Sequence, residues 1–561
     1  MRYGAVDSLV IFPMTSGTSD KNKPQEIIKP EKLVCCNCGI GIASCSVMNI
    51  YRRRHHLSLK PLSAVLLGLA GLAATLPAYA DEFGMATVEA KAKLLVDRTY
   101  NPKPLPIPAF LKDLTPDQSA QIQDVSPLWR GDNLPYEAQF YLPGSWFHRP
   151  VVIRSVVDGA VRPVPFTLEH FSFGKLNVPK NIPSALGYAG FRLLAPLDNP
   201  PHHNEFISFL GATYFRAVGK GAIYGTSARG LGIDTAQPSG EIFPYFKEFW
   251  LVRPKPDATS MVVYALMDSS VATGAYRFTI QQGDSTTVHV EATIYLRKPV
   301  QVLELAPLTS MYWHGHGRGV IAGDWHPAQH DSSDLVMANG NGEWTTRPIN
   351  NPLYAQTTTY AMDHPVGFGL IQQDRRFSAY QGIETQYQRR PSVWVQPDGD
   401  WGKGQLRLVE LPTNNRDMDN IGAFWVPEHE PAPKTPLHFA YTLRFFLDNH
   451  GLIPLPHPVG TYLGDDPKVP GARTVVIDFG GGALTKLQDN APVQVHLEAA
   501  DGAKILSQKL EWEKDGHFWR VIAVIQPQPG SPSNVRCFLT LNHQVMSNTW
   551  TYLLHAAKEQ M

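Results

Sequence analysis

Short apolar runs that alternate with polar residues dominate the chain from about residue 135 onward. Alternation with a period of two, enrichment in β-branched and aromatic residues, and separation by Gly, Pro, Asn or Asp predict antiparallel β-strands. Helical patterns of about 10–15 residues do not recur between these runs, which excludes a parallel α/β sheet. The strands predicted before residue 300 are EAQFYLPG, PVVIRSVV, RPVPFTL, GYAGFRLL, ATYFRAVG, EFWLVRP, SMVVYALM, AYRFTIQQG and VHVEATIYL.

The same pattern resumes after residues 448–470, a stretch rich in Pro and Gly that is predicted to be a linker. The later runs are typical of an immunoglobulin-like domain; they are RTVVIDFGG, PVQVHLEAA, KILSQKLEWE, FWRVIAVIQP, VRCFLTLN and NTWTYLLH. The pattern therefore predicts a mainly all-β fold. A large antiparallel β-sandwich is expected at 81–447, followed by a small immunoglobulin-like β-sandwich domain at 471–561. Ahead of the strands, MATVEAKAKLLVDR and a piece near TPDQSAQIQDV are predicted to be helical.

The N-terminal region has the features of an export signal. Arginines at 52–54 precede the apolar run LSAVLLGLAGLAATLP, and Ala78-Tyr79-Ala80 forms an A-x-A cleavage site. The run is too short and too rich in small residues for a stable membrane span. Residues 48–80 are thus predicted to be a signal peptide that is cleaved after Ala80, which would make the mature protein periplasmic. The paired arginines leave open a twin-arginine or a general secretory route.

Residues 1–47 are predicted to be a mis-assigned extension, with Met48 as the true start, because signal peptides begin close to the initiator. The extension holds all the cysteines except Cys537. Its CCxC cluster lacks a second half at metal-ligand spacing. The mature chain would then keep Cys537 and form no internal disulfide.

Composition and missing motifs narrow the function classes. Lys+Arg and Asp+Glu are both 50, and this balance argues against a broad surface for nucleic acid or an anionic membrane. The chain has no GxSxG elbow, no P-loop and no zinc-binding helix motif, which disfavours acyl and nucleotide chemistry. His314, His316, His326 and His330 lack carboxylates at ligand spacing, so neither a metal nor another cofactor is expected.

The densest chemistry surrounds the polar loop TNNRDMDN, which carries Asp419. Tyr387, Arg389, Arg390 and Trp425 flank this loop. Aromatic rings stack on the apolar faces of sugars, guanidinium groups hold hydroxyls, and a placed acid can protonate a leaving oxygen. The stretch is therefore a candidate carbohydrate site. The alternative is a hairpin with core tryptophans and a solvated loop.

The long segment 209–250 adds Tyr214, Tyr224 and Arg229 to the candidates, and it also carries Arg216. Loops of this length inside compact domains are usually functional, and loop aromatics with an arginine suit a carbohydrate groove. A packed crossover loop would explain each of these residues equally well.

A second acid lies in the pair His330-Asp331, just before the strand-like run DLVMA. Asp331 and Asp419 are 88 residues apart in the sequence, and both open loops flanked by aromatic residues. Glycoside hydrolysis needs two acids, one to protonate the leaving oxygen and one to activate water. The sequence leaves open whether the fold brings these two together.

Several long motifs strongly resemble the periplasmic glucan biosynthesis proteins G and D. They include LGATYFRAVGKGAIYGTSARGLGIDTAQPSGEIFPYFKEFW, ALMDSSVATGAYRF, GNGEWTTRPINNP, GFGLIQQDRRFSAY and RRPSVWVQPDGDWGKGQLRLVELPT. PSGEIFPYFKEFW and APLTSMY slightly favour the G branch. The resemblance covers roughly residues 85–561. It implies a large β-sandwich domain with a groove, a smaller immunoglobulin-like domain, and action on osmoregulated periplasmic glucans of β-1,2-linked glucose.

The resemblance also implies an activity, since members of the family are viewed as endo-acting, anomer-inverting β-1,2-glucan hydrolases. By motif position, Asp419 is the expected general acid. Asp331 is the expected general base, acting through a relay of water and a substrate hydroxyl. The residues expected to bind substrate are Tyr214, Tyr224, Arg229, His330, Tyr387, Arg389, Arg390 and Trp425.

The chain departs from the family pattern on the base side of this site. Ser333-Asp334 stands where the family often has a residue followed by Gly, and the loop WHGHGRGVIAGD is its own. A rival expectation is a non-catalytic scaffold that binds β-1,2-glucan in the same groove. Its C-terminal domain would dock a membrane glucosyltransferase, and no nucleic-acid partner is expected in either case.

Overall fold

The computed structural model describes residues 82–101, 107–144, 147–178, 182–183, 186–198, 202–315 and 324–556. The predicted extension and the predicted signal peptide lie outside these residues. The described part is built mainly of antiparallel strands, which confirms the predicted all-β class.

A helix precedes the sheets where the sequence predicts one. Helix α1 (Met85–Val96) buries Val88, Ala92 and Val96, which recur every four residues and so form one face that packs on Trp250. Two short helices follow, α2 (Ala109–Lys112) and α3 (Pro116–Ser119). Short 3-10 turns lie at Leu168–His170, Phe377–Ala379, Tyr387–Arg389 and Leu484–Lys486.

The first strands follow the predicted runs closely. RPVPFTL is the exception, because its prolines cannot donate ladder hydrogen bonds and the strand there ends at Pro163. The strands are β1 (Gln123–Asp124), β2 (Glu137–Tyr141), β3 (Val152–Val157), β4 (Ala160–Pro163), β5 (Phe171–Ser172), β6 (Gly190–Ala195), β7 (Asn204–Leu210), β8 (Tyr214–Ala217), β9 (Ser227–Arg229), β10 (Gly232–Ile233), β11 (Tyr245–Val252), β12 (Met261–Asp268), β13 (Ala272–Gln281), β14 (Thr286–Leu296), β15 (Leu303–Ser310), β16 (Tyr312–His314) and β17 (Gln329–His330).

The later strands include every run predicted for the C-terminal domain. They are β18 (Asp334–Ala338), β19 (Trp344–Pro348), β20 (Gln356–Asp363), β21 (Gly367–Ile371), β22 (Ser392–Asp398), β23 (Lys403–Glu410), β24 (Ile421–Pro427), β25 (Pro436–Phe446), β26 (His457–Asp465), β27 (Arg473–Gly480), β28 (Val493–Ala499), β29 (Lys504–Glu513), β30 (Phe518–Gln526), β31 (Ser533–Leu541), β32 (Gln544–Val545) and β33 (Thr549–Leu554).

Two large sheets form the main sandwich. The first has the order β2-β6-β7-β8-β9-β15-β24-β23-β20, and the second runs β28-β31-β33-β19-β18-β21-β22-β25-β14-β13-β12-β11-β3-β4. Phenylalanines from both sheets meet in the core between them. Phe209 and Phe215 of the first sheet contact Phe278 of the second edge-to-face, with ring centroids 5.1 and 5.4 Å apart. This interdigitation is the packing of a β-sandwich.

The C-terminal sandwich shares a sheet with the large one. A four-stranded sheet, β26-β27-β30-β29, packs on β31 and β33 around a core that includes Ile477, Val521 and the buried thiol of Cys537. β33 pairs in parallel with β19, so that Thr345 lies opposite Thr549. Backbone hydrogen bonds therefore run without interruption from one sandwich into the other.

Part of the predicted linker is a strand. Strand β26 lies inside residues 448–470 and pairs with β27 along its length. The Pro and Gly content is compatible with a strand here because β26 is at the sheet edge and carries a bulge between Pro458 and Gly460. Leu463 packs against the C-terminal core and supplies the apolar contact that holds the strand.

The two runs before the polar loop do not form a hairpin. Strand β22 pairs with β21 and β25 in the second sheet, whereas β23 pairs with β20 and β24 in the first. The chain therefore passes from one sheet to the other between them. Strand β23 then delivers the loop with Asp419 to the edge of the first sheet's central strands, β15 and β24.

Candidate functional site

A short two-stranded ribbon fixes the candidate base. Strands β16 and β17 pair so that Tyr312 lies opposite His330, and the two rings stack with centroids 5.0 Å apart. Tyr380 meets the His330 ring edge-on. Immediately after His330, the backbone N–H of Asp331 donates to the carbonyl of Met311 at 2.8 Å. Asp331 is thus held at the end of a buried ribbon by backbone and ring contacts.

Asn420 fixes the loop that carries the candidate acid. Its side-chain amide donates to the carbonyls of Tyr312 and Leu411, at 3.0 and 2.8 Å, and its Oδ1 accepts the N–H of Tyr312 at 2.8 Å. Asn420 is buried, so these bonds are shielded from water. Asp419 is the preceding residue and is only partly buried.

These contacts bring the two aspartates to one place in the fold. Asp331 is bonded to Met311, and Asp419 is joined through its neighbour Asn420 to Tyr312, the next residue along the chain. Strand β15 supports both attachments, because its last residue, Ser310, pairs with Ile421 of β24. Two acids remote in sequence therefore flank a single dipeptide.

An arginine lies beside each carboxylate. Arg390 Nη1 is 3.4 Å from Asp331 Oδ1 and donates to the carbonyl of Tyr224 at 2.6 Å. Arg216 Nη2 is 3.4 Å from Asp419 Oδ2. A nearby cation favours the ionised form of a carboxylate, so the two arginines help set which protonation states are accessible.

A chain of buried hydroxyls links the base side to strand β9. Ser332, which follows Asp331, has its Oγ 2.7 Å from Ser310 Oγ, and Ser310 Oγ is 3.1 Å from Thr226 Oγ1. All three side chains are buried. Because each hydroxyl can donate one bond and accept another, the chain holds the two strand ends in register.

Three predicted binding residues lie around Arg390. Tyr387 is buried, and the Arg390 guanidinium lies 5.1 Å from its ring centroid. Arg389 is exposed and donates to the carbonyl of Gly221 at 2.7 Å. The hydroxyl of Tyr224 donates to Glu205 at 3.0 Å, and burial raises the pKa of Tyr224 well above its ordinary value. Arg389 and Arg390 thus attach the 219–226 segment to the turn that carries them.

Arg229 lies beneath the surface and supports Tyr214. It is 2% exposed, forms an ion pair with Glu241 at 2.6 Å, and its guanidinium lies 4.9 Å from the Tyr214 ring. Burial, reinforced by the negative charges of Glu241 and Asp419, raises the pKa of Tyr214 well above its ordinary value. Arg229 therefore supports Tyr214 from below the surface, and direct binding of a ligand by Arg229 stays a prediction.

Trp425 lies in the core, and its placement is not compatible with the expected stacking on sugar. Its exposed fraction is 0%, and its ring lies beside Trp401 with centroids 6.2 Å apart. The reason is the two-residue alternation of β24, which directs Ala423 and Trp425 into the main core and Phe424 to the other face. For this residue the alternative reading, a core tryptophan, is correct.

The histidines next to the site bond to a carboxylate. His314 Nε2 and His326 Nδ1 lie 3.1 and 2.6 Å from the two oxygens of Asp324. Within the described ranges, no group of three or more His, Cys, Asp or Glu side chains is arranged to hold a metal ion.

A cleft opens on the base side, between the two sandwiches. Its volume is about 920 Å³, within the range of ligand pockets in proteins. Tyr312, His330 and Tyr380 line one wall, and Tyr462 of the C-terminal sandwich lines another. Asp334 also faces the cleft, and burial raises its pKa to about 6. Aromatic and polar groups on facing walls suit a polyhydroxylated ligand.

Sequence reasoning did not assign roles to Arg216, Tyr312 and Asn420. For Asn420 the residue type is a usable signal, since an asparagine in a polar loop can fix the loop through hydrogen bonds to backbone groups. For Arg216, the alternation in ATYFRAVG sets it on the face opposite Phe215, away from the core. Tyr312 carries no such signal, because its role depends on pairing with His330 across a ribbon.

The sequence model of the family described as "Periplasmic glucan biosynthesis protein, MdoG" matches residues 83–554, most of the chain. The chain belongs to this family. The MdoG match covers both sandwiches, and it includes both aspartates and both arginines of the site.

Relatives in the MdoG family support the G branch. The chain is 38% identical over 511 residues to Glucans biosynthesis protein G of Dickeya dadantii, which covers 88% of this chain and 96% of the relative. It is 40% identical over 500 residues to the protein of the same name from Ralstonia nicotianae, with 87% and 99% covered. A third, from Pseudomonas paraeruginosa, is 39% identical over 491 residues, with 84% and 93% covered.

Membership in the MdoG family assigns the protein a role in periplasmic glucan biosynthesis. In the part of the chain that the structure describes, helices of the length and apolarity needed to cross a bilayer are absent.

Proposed function

We propose that the protein is an inverting endo-β-1,2-glucanase that trims or sizes the glucan in the periplasm. Asp419 would act as general acid and protonate the glycosidic oxygen. Asp331 would act as general base and activate the attacking water, through a relay that includes a substrate hydroxyl. In an inverting reaction the base removes a proton from water as the acid delivers one to the leaving oxygen, so both carboxyls must serve one bond.

The observation that carries the proposal is the attachment of both aspartates to the Met311–Tyr312 dipeptide. Two aspartates attached to one short segment, each with an arginine beside its carboxylate, suit acid–base cleavage of a glycosidic bond. The adjacent cleft offers aromatic and polar walls to a polysaccharide. His330 and Tyr380 support the base, and Arg390 orders both Asp331 and the 219–226 segment.

Both arginines favour the ionised form of the aspartate beside them, which suits the base and opposes the acid. Arg390 helps keep Asp331 ionised, as a base must be. Arg216 favours an ionised Asp419, whereas an acid must hold a proton. Bound glucan would exclude water from Asp419 and shift it towards the protonated form. Asp419 would then become a competent general acid only when substrate is bound.

Purified protein incubated with linear β-1,2-glucan tests the proposal. We expect new reducing ends, with the first-formed anomer opposite to that of the cleaved linkage by NMR. Asp419→Asn should abolish cleavage, whereas Asp417→Asn, which changes an exposed carboxylate of the same loop, should not. Cleavage that survives Asp419→Asn would refute the assigned acid.

The second candidate is a non-catalytic scaffold that binds glucan and docks a membrane glucosyltransferase through the C-terminal sandwich. The observation that favours it is the size and inter-sandwich position of the cleft. Tight binding of β-1,2-glucan without any new reducing ends would support the scaffold over the hydrolase.

A further inference from the structure

Trp325 differs from the other tryptophans of the described residues in its exposure. Its exposed fraction is 68%, whereas Trp250, Trp394, Trp425, Trp519 and Trp550 are buried in cores. An indole left in water forgoes the free energy that burial would supply, and its apolar ring face stays available to a ligand.

The indole is held in place from behind. The Trp325 ring stacks on His326, with centroids 3.8 Å apart and planes at 24°. His326 Nδ1 lies 2.6 Å from Asp324 Oδ1, and the His326 backbone N–H donates to the same oxygen at 3.1 Å. The other oxygen of Asp324 bonds His314 and Gln329. We call these four side chains, Asp324, His326, His314 and Gln329, the Asp324 clasp.

Within the Asp324 clasp, the carboxylate of Asp324 stays ionised. Burial alone would raise the pKa of Asp324, but hydrogen bonds from His326 and His314 lower it to about 2. The carboxylate is therefore ionised at any pH the protein meets, and its bonds to both strands of the ribbon persist. The Trp325 ring therefore stacks on an imidazole that this carboxylate holds, and 68% of the residue is left exposed to a ligand.

The Asp324 clasp is attached to the ribbon that carries the base. His314 and Gln329 lie opposite each other on β16 and β17; His314 is two residues after Tyr312, whereas Gln329 is one residue before His330, because the register shifts between the two pairs. One to two residues of a strand span about 3–7 Å, so this pair lies within about 7 Å of Tyr312 along the ribbon. A polysaccharide that passes the aspartates would reach the indole within a few sugar units.

We propose that Trp325 is a distal glucosyl subsite, which binds a sugar ring of the same β-1,2-glucan chain several units from the bond to be cleaved. The proposal rests on the proposed glucan substrate. Stacking of a pyranose on an indole buries its C–H face and needs no charge, so the subsite would take neutral sugar and act through chain length. Trp325 would set a preference for longer glucans and would not contact the reacting atoms.

The test measures affinity against chain length in the full-length protein, with linear β-1,2-gluco-oligosaccharides of increasing size and isothermal titration calorimetry. Trp325→Ala should weaken binding of the long oligosaccharides about tenfold and leave the shortest ones that bind unchanged. Trp325→Phe should retain most of the affinity. Trp512→Phe, which changes a half-buried tryptophan of β29, is the matched control and should change nothing.

A second readout uses the reaction and the ring itself. With long glucan, Trp325→Ala should raise KM with little change in kcat, because a distal contact adds uniform binding. In protein labelled with 5-fluorotryptophan, the 19F resonance assigned through Trp325→Phe should shift with long oligosaccharides and not with short ones. Asp324→Ala should give a smaller loss of the same length-dependent kind.

The outcomes separate the inference from the proposed function. If the wild type cleaves and binds glucan but Trp325→Ala alters no length, or all lengths equally, the distal subsite is refuted and the hydrolase stands. If the wild type neither binds nor cleaves β-1,2-glucan, the proposed function fails and the subsite fails with it.

Discussion

The two candidate catalytic carboxylates occupy different kinds of structure. Asp331 follows a strand of the ribbon, is buried, and is surrounded by Tyr312, His330 and a chain of buried hydroxyls. Asp419 lies in a loop, is partly exposed, pairs with Arg216, and is joined to the ribbon through its neighbour Asn420. Asp331 is therefore held in a buried position at a strand end, and Asp419 in a more exposed loop.

This difference matches the two chemical tasks. A base that works through a water relay needs accurate placement, because each added bridge compounds positional error. An acid must meet oxygens that arrive with the substrate, and its protonation must respond to their arrival. A rigid base and an adaptable acid would therefore divide the work of positioning and of response.

The largest expected effect comes from removing the base. Asp331→Asn should lower turnover of β-1,2-glucan by about 10²–10⁴-fold, since it removes general base catalysis. Affinity for glucan should stay largely intact, because a base acts on water and adds little ground-state binding. Reducing-end assays and calorimetry measure the two quantities separately. A strong loss of affinity would contradict the assigned role.

Breaking the acid's attachment should also damage the fold. Asn420→Ala removes three hydrogen bonds in a buried setting, and we expect a loss of on the order of 2–4 kcal/mol in the free energy of unfolding, together with most activity. Asn415→Ala, at an exposed position of the same loop, is the control and should cost far less. If urea denaturation gave equal losses in the free energy of unfolding for the two variants, Asn420 would not be the residue that fixes the loop.

Asp334, on the base side of the site, should make the free energy of unfolding depend on pH. Burial raises its pKa from 3.8 to about 6, so between these values the folded state binds a proton that the unfolded state has released. Stability should therefore fall as pH rises from about 4 to 6, by up to about 3 kcal/mol, and then level off. Asp334→Asn should flatten this slope in thermal or urea unfolding. A slope that persists in the variant would assign it to another group.

The smallest expected effects separate the two arginines through the pH–rate profile. Arg390→Gln should make Asp331 harder to ionise and move the acidic limb to higher pH. Arg216→Gln should let Asp419 keep its proton longer and move the alkaline limb to higher pH. Arg389→Gln, at the exposed neighbour of Arg390, should move neither limb. Shifts in the opposite limbs would exchange the roles of acid and base.

Local pattern predicted the strands well, and long-range pairing decided the site. Alternation predicted β8, β14 and the C-terminal strands β27 to β31 and β33; strands such as β14 and β30 alternate buried with less buried residues. It could not tell that β22 and β23 lie in opposite sheets, since the two runs look alike whichever partner they take. Pro and Gly content hid β26, because an edge strand tolerates both.

The site residues divide in the same way. The motifs predicted Asp331 and Asp419, and their roles stay predictions, while the attachment of both to one dipeptide depends on pairings that no local pattern encodes. From residue type alone, both Trp425 and Arg229 were predicted to contact the ligand. Burial gives Trp425 to the core, because the alternation of β24 directs it inward. Arg229 forms an internal ion pair with Glu241 and lies on the face of β9 opposite the core residue Ala228.

The parallel pairing of β19 with β33 limits how this molecule can open. Two domains joined only by a flexible linker could swing apart. Here such a movement would break the backbone pairing of Thr345 and Thr346 with Thr549 and Trp550. The cleft walls contributed by each lobe should thus keep their spacing. A long polymer would therefore enter along the surface, past segments such as the Asp419 loop, and not by separating the two sandwiches.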